Sequence, residues 1–247
     1  MKFIFLLSML FYLCNANTIV LDNSNYIDIK GEINPKSSSD FIIEINKILS
    51  NKIIIYIQSP GGYVESGKEI INEINIQLQN GKDISCIAER AYSMAFIIFQ
   101  SCPVRYITNN TVLMQHPIYI SQLSGNLKTV QNILKMIDKD NEDLLEIQCN
   151  KIKIDKKEFE ILVSNELWLM GNDNINMNTA DEIISVSCSK ELYNIETQEI
   201  IFNPFIGEII TTKIKCPLIK YGKKEINNSY NQSNYSGINY KYLGNTY

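Results

Sequence analysis

Histidine is nearly absent from this chain: there is one, His116, in 247 residues. Any imidazole base therefore has a single place to be. Neither sign of charge dominates, with Lys+Arg 23 against Asp+Glu 27. No basic stripe runs along the sequence, so nucleic acid is not an expected partner. No two of the six cysteines have the CxxC spacing of a zinc or redox site, and no metal or cofactor is expected. Beyond the N-terminus no run approaches the roughly 20 apolar residues of a membrane span. Ala and Arg are scarce while Ile, Asn and Lys abound, as in AT-rich coding, which weakens every motif made mainly of Asn.

What is present begins with Met1-Lys2, then an apolar run from Phe3 to Leu13 broken only by Ser8, then Cys14-Asn15-Ala16. A positive start, a short apolar stretch and small residues at the end read as a secretory signal over 1–16, cleaved after about Ala16. It directs the chain to the secretory pathway, a periplasm or the outside; the alternative is an organelle lumen. Five cysteines remain after cleavage, so an oxidising compartment would leave at least one unpaired. Cys86 and Cys102 read as small buried apolar residues.

The remaining length suits one domain with a small appendage, and 45% hydrophobic residues suffice for a core. Tyr26–Ile33 alternates as a strand, and Ser37, Ser38 and Ser39 offer caps to a following helix. Ile53–Ile57 is apolar throughout, as in a strand covered on both faces. A helix through Ile70, Ile74 and Leu78 follows, then a strand from Ile84 and a buried helix over Ser93–Gln100. Val104–Ile107 and Val112–Gln115 read as two strands. Such alternation predicts an α/β domain with a mainly parallel sheet over 17–186. Residues 127–163 are amphipathic and helical, and a helix is expected to end at Asp181. A β-like extension over 187–221 and a disordered Asn/Tyr/Ser-rich tail over 222–247 complete the chain.

Within this order lies a constellation. A strand runs into Ser59-Pro60-Gly61-Gly62, a helix opens at Ala91-Tyr92-Ser93-Met94-Ala95, and the next strand ends in Met114-Gln115-His116-Pro117. Serine needs a base to take its proton, and the oxyanion needs donors. Ser93 is placed for the nucleophile and His116 for the base. The Met94 and Gly62 N–H groups are placed for the oxyanion hole, the glycine because it lets backbone approach closely. Taken singly, each has a bland alternative: an N-cap, a turn, a core histidine. The ordered set points to a hydrolase.

These same segments, with Tyr26–Ile33, resemble the proteolytic subunit of Clp-type proteases and its secreted or viral relatives over about residues 26–186. The resemblance implies a crotonase-like ββα superhelix in which 127–163 forms a projecting helical segment. It implies a serine endopeptidase acting on peptides or unfolded protein, assembled as a homo-oligomeric ring and fed by an ATP-dependent unfoldase where the chain is not secreted. It also places Glu166 at the acid position of the triad; Asp173 is the alternative in a shifted register, and Asp181 falls at a structural position. A catalytically inactive Clp-like structural or adaptor subunit is the competing expectation. An acyl-CoA enzyme of the crotonase type and a Ser-Lys peptidase rank below both.

Overall fold

The computed structural model describes residues 17–220 and 222–227. The expected signal segment and residues 228–247 lie outside the described residues. The chain divides into two compact units after Ser189.

The first unit is built on a mixed sheet of six strands: β2 (Tyr26–Ile33), β3 (Lys52–Gly62), β4 (Asp83–Tyr92), β5 (Val104–Gln115), β6 (Leu167–Met170) and β7 (Glu182–Ile183). β2 to β5 lie side by side and parallel; β6 runs antiparallel to the end of β5, and β7 pairs with its start. A separate pair joins β1 (Thr18–Leu21) to β8 (Ser185–Cys188). The unbroken apolar run of β3 has its explanation here, since Ile53, Ile55 and Ile57 on one face and Ile54 and Tyr56 on the other are all buried, with a paired strand on each edge.

Helices α1 (Pro35–Ile45), α2 (Val64–Gln79) and α3 (Met94–Ser101) connect consecutive strands. α3 is buried from Met94 through Gln100, so it sits in the core rather than on the surface. α1 is capped not by the expected serines but by Asn34, whose side chain accepts the Lys36 and Ser37 N–H groups while the Ser37 hydroxyl accepts the N–H of Asn34. Pro35 sets the first helical φ and needs no donor there, which moves the start upstream.

Three further expectations change. β5 is one strand of 12 residues rather than two. A bulge absorbs Thr108–Thr111, with the Thr111 hydroxyl donating to Ala88 O, and the ladder continues beyond it. The segment 127–163 is two helices, α4 (Leu127–Ile152) and α5 (Lys156–Ser164), because Lys153 turns left-handed and Asp155 caps anew. The helix expected to reach Asp181 stops after α6 (Asn172–Asn176), where Asn178 takes φ 55°. Cys86 and Cys102 are fully buried as expected, but they are also bonded as a disulfide.

The second unit contains α7 (Lys190–Asn194) and an antiparallel sheet in the order β11 (Lys223–Asn227), β10 (Gly207–Ile214), β9 (Glu196–Asn203). β11 falls inside the stretch expected to lack structure. It has one aliphatic residue, Ile226, and forms because an edge strand needs only the backbone ladder of β10.

Candidate active site

The end of β3 is a turn built by Ser59. Its buried hydroxyl donates to Gly31 O at 2.6 Å and accepts the Gly61 N–H at 3.1 Å. Tyr63 N–H then donates to Ile33 O at 2.8 Å. Gly61 has φ +90°, and a Cβ there would lie 2.5 Å from Tyr92 O and 2.8 Å from Ser93 Cβ. The turn is pressed against the end of β4, and only glycine allows that approach.

Ser93 makes the corner from β4 into α3. Its φ is 54° and its ψ −123°, a conformation that L-residues rarely hold. Its N–H donates to Met114 O at 2.9 Å, and its carbonyl accepts from Phe96 at 2.9 Å. Its side chain makes no capping bond. The bland alternative, an ordinary N-cap, is therefore not what the hydroxyl does. Met94 is the first residue of α3, so its N–H has no partner within the helix. The helix dipole adds positive potential at that end.

β5 ends at Gln115, and His116 follows it. His116 N–H donates to Gln115 Oε1 at 3.2 Å, and Nδ1 lies 2.7 Å from Pro117 O. With Nδ1 donating to that carbonyl, Nε2 is the nitrogen left to accept a proton. Gly62, Ser93, Met94 and His116 all line one cleft of about 460 Å³. Its other walls come from α3 through Ile97 and from α4 through Asn141, Leu144, Leu145 and Gln148, with Val163 of α5.

The three candidate acids, Glu166, Asp173 and Asp181, are not among the residues that line this cleft. The β5–β6 ladder ends with Gln115 opposite Leu167, so continuing its register sets Glu166 opposite His116. The Glu166 side chain is exposed and accepts from Trp168 Nε1 at 3.3 Å rather than from the imidazole. The Trp168 ring meets Tyr92 edge-on at 5.3 Å. Asp173 is exposed in the first turn of α6. Asp181 has a different partner: Arg105, 1% exposed, whose Nη2 is 2.6 Å from Oδ1 and whose backbone N–H donates to Oδ2 at 2.7 Å. Burial works against ionisation of Asp181, but hydrogen bonds and charge from Arg105 outweigh it and hold the carboxyl below its ordinary range. Cys149 is buried, and burial raises its thiol, so it does not compete as a nucleophile.

A family model described as Clp protease matches residues 14–187. The chain belongs to the Clp protease family. No curated protein matches it. The Clp protease match ends two residues before the first unit does, and it contains the glycine turn, the serine corner and the histidine. Two residues of the Clp region to which the sequence reading assigns no role, Gln115 inside the histidine motif and Gln148 outside any motif, are both buried in the cleft wall. A signal for Gln148 existed. It is a polar residue on the apolar stripe Leu144, Leu145, Cys149, Ile152 of α4, where burial without a partner is costly.

Proposed function

We propose that this Clp protease family chain is a serine endopeptidase. Ser93 Oγ attacks the peptide carbonyl while His116 Nε2 takes its proton. The N–H groups of Met94 and Gly62 receive the oxyanion, and the imidazolium then protonates the leaving amine. Water, deprotonated by the same imidazole, releases the acyl group. Glu166 swings from Trp168 to the imidazole Nδ1 when substrate fills the cleft. The observation that carries this is the strained corner at Ser93, with a hydroxyl that caps nothing, in one cleft with the only histidine. Strain of this kind costs about 1–3 kcal/mol and persists where function needs it. The strand pattern supports the role of Gly62. Tyr63 N–H bonds toward β2, so alternation along the strand turns the Gly62 N–H to the opposite side, toward Ser93.

The test is intact-mass analysis after a fluorophosphonate probe. One adduct is expected on the parent protein and none on Ser93→Ala or His116→Ala. Glu166→Gln is expected to lower the labelling rate about a hundredfold, the scale of a misplacement of about 1 Å. The competing proposal is a catalytically inactive structural or adaptor subunit. It is favoured by one observation, that the imidazole Nδ1 faces a carbonyl and Glu166 faces Trp168. No adduct on folded protein would decide for it.

The same proposal includes a crotonase-like ββα superhelix, supported by the order β2-α1-β3-α2-β4-α3-β5. It includes a homo-oligomeric ring joined through a projecting α4, whose first four turns bury no residue. Peptide and unfolded protein are the substrates. Export through residues 1–16 is supported by the Cys86–Cys102 disulfide, a bond of oxidising compartments. In such a compartment no ATP-dependent unfoldase is required; retention in an organelle would restore one.

A further inference from the structure

The cleft deepens along α4. Asn141 at its mouth is half-buried, Leu144 and Leu145 are 4% and 6% exposed, and Gln148 is 1% exposed. Seven residues of helix carry this descent, about 10 Å of rise. The sides are aliphatic, but the floor is not. Gln115, 4% exposed, donates through Nε2 to Gln148 Oε1 at 2.6 Å, and Gln148 Nε2 donates to Leu144 O at 2.8 Å. Gln115 Oε1 accepts the His116 N–H. Each amide has two N–H hydrogens and an oxygen with two lone pairs. One hydrogen and one lone pair on each are left without a protein partner among the described residues. Two amides with this spare capacity lie at the base of an apolar slot beside the proposed nucleophile, and a ligand atom that donates and accepts, or at least accepts, can be taken up by them.

Resting on the peptidase proposal above, we propose that this slot is the P1 specificity pocket. It selects a long, unbranched, uncharged side chain with a polar end, glutamine first and methionine second. A glutamine side chain entering the slot lays its methylenes on Leu144 and Leu145 and completes the two amides. A leucine offers them no further hydrogen bond. An aspartate or lysine brings an unpaired charge to a floor that has no counter-ion, since among the described residues Glu32 is the one carboxylate lining the cleft and it is exposed. The hydrogen bonds of Gln148 go to Gln115 and Leu144 rather than to His116 or Ser93, so it sets preference without entering the chemistry.

The experiment compares fluorogenic peptides identical except at P1, with Gln, Met, Leu, Asp or Lys, on the full chain and on Gln148→Leu and Gln148→Met. The expected kcat/KM order is Gln, Met, Leu, with Asp and Lys at least a hundredfold below Gln. Gln148→Leu lowers the Gln/Leu ratio about tenfold, and Gln148→Met, close in shape, lowers it in the same direction. Binding of fluorescein-labelled peptides ending in the same residues is measured in parallel on Ser93→Ala and on Ser93→Ala with Gln148→Leu. Cleavage with a Gln/Leu ratio that Gln148→Leu and Gln148→Met leave unchanged overturns the pocket while the peptidase stands. Absent cleavage with Gln148-dependent binding of the Gln peptide upholds the pocket and overturns the peptidase. Neither cleavage nor selective binding overturns both.

Discussion

At the scale of single residues, Ser93 carries a backbone cost that its side chain does nothing to offset. Glycine accepts positive φ without penalty. Ser93→Gly is therefore expected to be more stable than Ser93→Ala by about 1 kcal/mol, a melting difference of about 2–4 °C at this size, with both unreactive to the probe. Calorimetry on the two variants checks it. Gly61 gives the opposite case. A methyl group there meets Tyr92 O and Ser93 Cβ, so Gly61→Ala must push the turn away from the serine. A hundredfold loss in kcat/KM with secondary structure intact is the expected outcome. The placing of Ser93, Met94, Gly62 and His116 together is legible in the sequence because each lies at or just past a strand end, and successive strand ends of a parallel sheet meet on one side. Glu166 is legible only as a register position. Where its carboxylate points depends on Trp168 and Tyr92, neighbours that no local pattern reveals.

Among the elements, β5 is tied at both ends. Its last residues lead into His116, and its first hold Arg105, the largest fully buried side chain. Arg105 reaches Asp181 before β7 and Gln100 in α3, while Gln100 Nε2 donates to Thr179 O at 3.0 Å. Asp181→Asn leaves a buried guanidinium without its charge partner. The expected loss is about 2–3 kcal/mol, below the 3–5 of a wholly buried pair because Asp181 is partly solvated. Its carboxyl titrates lower in the folded state than its ordinary 3.8, so this stabilisation is present in full above about pH 5 and disappears as acid carries the protein down through the folded value. Acid melts of parent and variant should converge there. The strands and helices themselves are mostly readable from apolar periodicity. What periodicity does not give are the bulge that makes β5 one strand, the left-handed Lys153 that splits the long helix, and the Asn34 cap. Each is decided by a hydrogen bond or a single backbone torsion rather than by hydropathy.

For the molecule as a whole, the unburied start of α4 is the feature that a monomer leaves unexplained. Leu127 and Met136 are 75% and 59% exposed on it, with Leu134 at 37%. If rings form through this helix, Leu134→Asp with Met136→Asp should reduce the mass measured by light scattering to that of smaller species without lowering the monomer's helicity. An unchanged mass would place assembly elsewhere.

The disulfide has a consequence for how the protein must be made. Cys86 lies in β4 and Cys102 just past α3, 16 residues apart. Between them run the end of β4, Ser93 and the whole of the serine's helix. The proposed nucleophile thus sits inside a covalent macrocycle, and closing it is a chemical step that translation alone does not perform. A chain produced in a reducing cytosol would arrive with that ring open. Active material should come from hosts or refolding buffers that oxidise thiols, and a reductant strong enough to open the ring should silence Ser93 before the rest of the sheet melts.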